Sequence, residues 1–276
     1  MYHIFLKVFL VTSWAIPAFA ACWHFITEHW VFFLYVPISC HFTAICASLY
    51  LHRSMTHRSI EFAEWVSKTM RTWLWLSTGM STKEWVACHR KHHAHPDTPE
   101  DPHSPVQEGL SAIVFFGVKY YRKAVADKEM VKKFGYGCPE DRLEKEFFIP
   151  YRQFGIYLLL FINLVLFACI EGFLIGLLWG LSAWLCQILW MIVTGQIVNG
   201  IGHSKKPKNK EIKDHSVNFL PIGILIAGEE LHKNHHASPQ SPKFSKRWWQ
   251  FDIGWLYIKI MQRLRMITKI RYAPAK

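Results

Sequence analysis

The sequence has no CxxC pair, no GxGxxG turn and little charge, with Asp, Glu, Lys and Arg making up 19% of its 276 residues. Its seven cysteines stand singly at 22, 40, 46, 88, 138, 169 and 186. That odd number without metal-ligand or redox spacing argues against a disulfide framework and against a thiolate metal site. With no dinucleotide turn, no cysteine cluster for iron–sulfur and no haem domain, these residues encode no electron-transfer module. Internal repeats, low-complexity tracts and nucleic-acid motifs are missing too, and the composition excludes disorder, collagen and coiled coil. Acidic residues are the scarcer sign, 20 against 32 basic, for a formal charge of +12.

What is present is apolar. Hydrophobic residues form 51% of the chain and aromatics 16%, including 13 Trp and 20 Phe, a composition that strains any purely soluble reading. A bilayer core of roughly 30 Å needs about 20 apolar residues as a helix. Ile4 to Ala21 carries one charge, Lys7, and Trp30 to Leu51 carries none, so the two read as a hairpin. Lys7, the apolar run and Ala18-Phe19-Ala20 also resemble a cleavable signal peptide; the short following loop and the lack of an exported domain favour a retained helix. Tyr157 to Gly202 is apolar except for Glu171, about twice the length of one crossing, and Glu171-Gly172 is the expected turn.

The basic residues fall one in 1–51, sixteen in 52–153, none in 154–203 and fifteen in 204–276. By the positive-inside rule both polar segments and both termini are cytoplasmic. The sequence therefore predicts an all-α integral membrane protein, one domain over 1–276. Four transmembrane helices form two hairpins, 1–51 and 154–203, and a cytosolic helical cap is built from 52–153 and 204–276. Trp65 to Leu76 and Trp248 to Ile270 mix aromatics with basic residues and are expected as helices, either lying at the membrane surface or buried in the cap.

Histidine is the compositional outlier, sixteen in all. His52 and His57 stand five apart and differ by about 140° round a regular helix, so they converge only if the helix ends or bends between them. His89-Arg-Lys-His92-His93 and His232-Lys-Asn-His235-His236 have HxxHH form, whose i, i+3 and i+4 positions share one helix face. His203 follows the last predicted span in Asn199-Gly-Ile-Gly-His203. All nine imidazoles reach one height at the cytoplasmic ends of the spans. Neutral imidazole suits iron, zinc, copper or nickel, and nine nitrogens with no obvious carboxylate partner exceed one coordination sphere. Two ions are implied. His3, His24, His29 and His41 are isolated, and His95, His103 and His215 lie outside the spacing pattern.

HRSMTH, HRKHH and HKNHH, with Asn199 and His203 and with Asp101-Pro-His-Ser104 after the second box, resemble the membrane fatty-acyl desaturase family over nearly the whole chain. In the acyl-CoA desaturases of that family, similar boxes hold a di-iron, non-haem centre under a cytosolic cap. The resemblance implies that His52, His57, His89, His93 and His235 hold one iron. It gives the second to His92, His203, His232 and His236, with Asn199 positioning a water on it. Gly228-Glu-Glu-Leu-His232-Lys-Asn departs from the family's more frequent GEGxHN at Glu230 and Lys233.

The implied activity is O2-dependent removal of two hydrogens from adjacent carbons of a saturated acyl chain, at the delta-9 position and on CoA. Acyl carrier protein and phospholipid are alternative carriers, and a di-iron hydroxylase or alkane monooxygenase is alternative chemistry. The implied partners are the acyl substrate, the lipid bilayer, and an external electron donor of ferredoxin, rubredoxin or cytochrome b5 type. Trp, Phe and Leu around 62–85 are candidates to line an acyl tunnel. Lys119, Arg122, Lys123 and the run Lys205 to Lys213 are candidates to meet a carrier or headgroups. A metal transporter is disfavoured, because transporters place ionisable ligands at mid-membrane.

Overall fold

The computed structural model describes residues 21–204 and 215–272. The expected first span, apart from its last residue, the run Lys205 to Lys213 and both termini lie outside the described residues. By its contacts the chain divides into two units, 1–39 and 40–276. In the first, the described residues from 21 onward are almost wholly helical.

α1 (Trp30–Ile45) passes without a break into an 11-residue π-helix, Cys46–Thr56. There follow β1 (Ile60–Phe62), α2 (Glu64–Thr78), α3 (Thr82–Ala94), the single turn α4 (Pro105–Glu108), α5 (Leu110–Ala126), α6 (Lys128–Phe134) and a short π-helix at Leu143–Phe148. α7 (Arg152–Glu171) and α8 (Phe173–Ile201) come next. After them stand β2 (Ile222–Gly223), a 3-10 turn at Glu229–Leu231, α9 (His232–His236), β3 (Phe251–Asp252), α10 (Ile253–Arg263) and β4 (Ile267–Ile270). Local chemistry explains several boundaries. The Ser104 hydroxyl accepts from Val106 N with Pro105 at the first helical position, Asp127 accepts from Met130 N, and Asp252 accepts from Trp255 N.

The π-helix is the centre of the core. Leu49, Tyr50 and Leu51, each at most 1% exposed, pack with Ile60, Val66, Met70, Leu74, Ile258 and Ile267. Its i→i+5 bonding, seen where His57 N donates to the His52 carbonyl at 3.1 Å, brings residues five apart nearly one above the other. This resolves the convergence of His52 and His57, whose ring centroids are 4.9 Å apart. The helix widens and then ends at Thr56, with His57 as its C-terminal cap.

Three described helices are long and apolar enough to cross a membrane: Trp30–Thr56, Arg152–Glu171 and Phe173–Ile201. α7 and α8 turn at Gly172, φ +81°, where the sequence placed the turn. α7 starts five residues earlier than the apolar run, and its polar first residue is tied to α3 by an ion pair from Arg152 Nη1 to Glu84 Oε2 at 3.1 Å. Between α7 and α8, Asn163 Nδ2 donates to Gln187 Oε1 at 2.8 Å, both side chains fully buried.

One expectation needs correction. Trp248 to Ile270 is not one helix: Asp252 starts α10 late, Arg265 takes a left-handed φ of +57°, and Ile267–Ile270 leaves as a strand. Four short strands accompany the helices in a mostly helical fold. β4 pairs antiparallel with β1, Ile60 facing Ile270, and β2 pairs parallel with β3. Trp65 to Leu76 does fall in one helix, α2, which buries Val66, Met70, Leu74 and Trp75 while Trp65 is exposed.

A Cβ at Gly176 would overlap the Phe167 carbonyl and Ala168 backbone of the facing helix. Gly176→Val should destabilise the α7–α8 pair by about 1–3 kcal/mol, the usual cost of overpacking, and lower the melting temperature of the detergent-solubilised protein. A wild-type melting curve would contradict the close approach.

Candidate metal centre

The eight box histidines and His203 together supply two groups. The ligand atoms of His52, His57, His89, His93 and His235 lie within 4.8 Å of one another, and so do those of His92, His203, His232 and His236. Each HxxHH divides in the same way and in opposite directions. In α3 the i, i+4 pair His89 and His93 enters the first group while His92 enters the second. In α9 the i, i+4 pair His232 and His236 enters the second while His235 enters the first. The groups adjoin where the His93 and His236 rings stack at 4.5 Å. Asn199 is half-buried in the last turn of α8, four residues before His203.

The structure adds what the boxes did not reveal, a set of carboxylates behind the rings. Glu229 Oε2 accepts from His52 Nδ1, Asp101 Oδ2 from His92 Nδ1, and Asp97 Oδ2 from His203 Nδ1, each at 2.8 Å. An ionised carboxylate only accepts, so the proton of each ring sits on Nδ1 and Nε2 is a bare lone pair. The carboxylates are themselves held. Asp101 accepts from the backbone N–H of Asp97 and His103, and Asp97 from the Ser104 hydroxyl and the His215 N–H. The proximity of Asp97 to the second box, and of Glu229 to the third, was the available signal; Asp101 was noted only as part of a motif. Of the histidines outside the pattern, His103 is buried against His92 with centroids 4.7 Å apart, His215 contributes its backbone, and His95 pairs with exposed Glu100 at 3.3 Å.

The nitrogen geometry fits cations. In the first group Nε2 of His235 lies 2.9 Å from that of His52 and 3.0 Å from that of His93, and His89 and His93 are 3.1 Å apart. In the second, His203 stands 2.9 Å from His232 and 3.3 Å from His236, with His92 3.4 Å from His236. Nitrogens bound at about 2.1 Å to one ion are separated by roughly 3.0–3.4 Å in octahedral or tetrahedral geometry. Nε2 of His92 and of His203 both face His236 Nε2, and the buried His57 Nε2 has no hydrogen-bond partner.

Burial, reinforced by neighbouring imidazoles, holds His57, His89, His93, His232 and His235 well below the usual histidine range, so they are neutral and ready to coordinate at neutral pH. His103 is lowered to about 3, by burial first and then by His92.

The scaffold is mostly helical, with three described helices long and apolar enough to cross a membrane and two adjoining all-nitrogen clusters that could hold metal ions. The sequence model of the fatty acid desaturase family matches residues 28–259, and the chain belongs to that family. Similar proteins include an sn-1 stearoyl-lipid 9-desaturase of Anabaena variabilis, 29% identical over 83% of this chain and 79% of the relative. A hex-5-enoyl-[acyl-carrier protein] acetylenase of Moorena producens (strain JHB) is 27% identical over 83% and 73%. An acyl-CoA 5-desaturase of Anemone leveillei is 28% identical over 83% and 69%. The protein is therefore a fatty acid desaturase, an oxidoreductase of lipid metabolism.

The metal-free protein should lose stability as pH falls below about 6.5. There the unfolded histidines take up protons that the five depressed ones refuse, so the unfolded state binds more protons and is favoured, by about 1.4 kcal/mol per pH unit for each histidine that stays neutral. Melting temperatures of chelator-treated protein between pH 8 and 5 check this, and a flat profile would contradict it. Asp101→Ala should free the His92 ring and weaken metal binding by roughly 10–100-fold, read by competition with a chelator.

Proposed function

We propose that the protein is an O2-dependent di-iron desaturase that introduces a double bond at carbon 9 of a saturated acyl chain carried on CoA. Its metal ligands are His52, His57, His89, His93 and His235 for one iron and His92, His203, His232 and His236 for the other, with Asn199 holding a water. The observation that carries the reading is the division of nine imidazoles, six of them buried and three half-buried, into two adjoining nitrogen clusters in a desaturase-family chain.

No side chain can attack an unactivated methylene C–H; a reduced di-iron centre with O2 supplies that oxidising power when bound. The overall change removes two hydrogens from adjacent carbons and reduces O2 to two waters, with two electrons and two protons drawn from an external donor. This chain's residues do the holding. Glu229, Asp101 and Asp97 keep three rings in one orientation, and burial keeps His57, His89, His93, His232 and His235 neutral. An apolar cavity of about 230 Å³ lined by residues including Phe42, Ile45, Trp65, Met70, Tyr257 and Met261 offers the kind of wall an acyl chain needs. Both termini and both clusters are placed on the cytoplasmic side, on the strength of the basic residues missing from 154–203.

Lys119, Arg122 and Lys123, exposed on α5, have the charge that CoA phosphates require. A phospholipid carrier is the second reading, favoured by the name of the Anabaena relative. Assays of purified protein on stearoyl-CoA, stearoyl-acyl carrier protein and stearoyl-phospholipid, each with a supplied reductant, separate the carriers, and the double-bond position of the product tests carbon 9.

His203 is the sharpest single test, because it stands outside any box. His203→Ala should abolish desaturation and lower bound iron while leaving membrane insertion intact. His203→Lys keeps a cation at the end of α8 and should fail equally. Retention of most activity by His203→Lys would remove His203 from the ligand set.

A further inference from the structure

Arg53 lies between His52 and His57 and is fully buried, the largest side chain so enclosed. A guanidinium never sheds its charge, so it has to be compensated there. Asp252 supplies both oxygens, at 3.1 and 3.3 Å from Nη2. Nη1 donates to Ser48 Oγ at 2.9 Å and to the Ala227 carbonyl at 3.1 Å, and the plane stacks on Phe244 at 3.8 Å from the ring centroid. A Cβ at residue 254 would overlap Nη1, so glycine is required there.

From this guanidinium two routes run to the first histidine group. In one, Ser48 accepts from Arg53 and its own hydroxyl proton goes to Glu229 Oε1, whose other oxygen holds His52 Nδ1. In the other, Asp252 Oδ2 accepts from Phe244 N at 2.7 Å, and the Phe244 ring carries Arg53 and packs on His235 at 4.7 Å and on His52 at 5.7 Å. The two routes end on the two imidazoles whose Nε2 atoms stand 2.9 Å apart. Neither route reaches His92, His203 or His236. On that side Asp97 and Asp101 are held by backbone N–H groups and Ser104.

We infer that Arg53, through Ser48–Glu229 and through Asp252–Phe244, is the positioning residue that sets the spacing of His52 and His235, and so selectively shapes the five-histidine metal site. The inference rests on the two-iron reading above. Lysine keeps the charge but loses both the bidentate fork to Asp252 and the planar stack on Phe244. Ser48→Ala leaves the buried ion pair whole and cuts the link from Arg53 to Glu229, with a contact to the Ala227 carbonyl that Arg53 Nη1 also makes.

The test is iron content and Mössbauer spectra of 57Fe-loaded protein, with His203→Ala as the reference in which the four-histidine site is disrupted. Arg53→Lys should weaken the five-histidine site roughly 10–100-fold, lowering the content from two irons towards one and removing the signal that His203→Ala retains. Ser48→Ala should perturb the same signal more weakly while the metal-free protein melts as wild type does. Two irons with wild-type spectra in both variants would overturn the inference, as would parallel loss of both signals in Ser48→Ala. Wild-type protein that fails to hold two irons would instead overturn the two-iron reading.

Discussion

Buried imidazoles that point bare nitrogens at one another form an arrangement that a folded chain can hold only if something else fixes each ring. Here three of the nine rings, those of His52, His92 and His203, are fixed by carboxylates, each 2.8 Å from an Nδ1, and packing holds the others. Because a carboxylate only accepts, each bond decides where the ring proton sits and therefore which nitrogen faces inward. Without a cation the converging lone pairs repel; with one at each cluster they become ligands. Folding around the clusters and binding of a metal there would thus be coupled, part of the binding free energy offsetting the cost of assembling the site.

The scaffold meets this requirement through helix geometry. The π-helix, a rare element that concentrates at functional sites, brings His52 and His57 together without a break in the chain. Its other side chains, Leu49, Tyr50 and Leu51, form the centre of the hydrophobic core. α3 and α9 share their histidines between the clusters in opposite senses, so a displacement of either helix disturbs both clusters. The clusters differ in support. The four-histidine group is backed by two carboxylates held by the backbone and Ser104, the five-histidine group by one carboxylate tied to a buried Arg53–Asp252 pair.

Much of this was legible in the sequence because it depends on short-range periodicity. The HxxHH spacing, the apolar run broken at Glu171-Gly172 and the missing basic residues of 154–203 are all local signals. The backing carboxylates were not legible. Asp97 reaches His203 across more than a hundred residues, and nothing in the neighbourhood of either residue encodes that contact. The π-helix was hidden for another reason: a regular helix and a π-helix accept the same apolar pattern, and only the five-residue separation of His52 and His57 hinted at the wider turn. The break-up of Trp248 to Ile270 turned on Asp252, whose side chain is committed to Arg53 and Phe244, a tertiary demand that overrides local helix propensity.

The central claim is that two nitrogen clusters each hold one iron in the desaturating protein. X-ray absorption at the iron edge, with metal content measured on the same preparation and its desaturase activity assayed, tests that claim most directly. The account predicts two irons per chain, with first shells dominated by nitrogen at about 2.1 Å and the outer-shell scattering of imidazole rings. An active preparation holding a single iron, holding zinc instead, or showing sulfur in its first shell would contradict it.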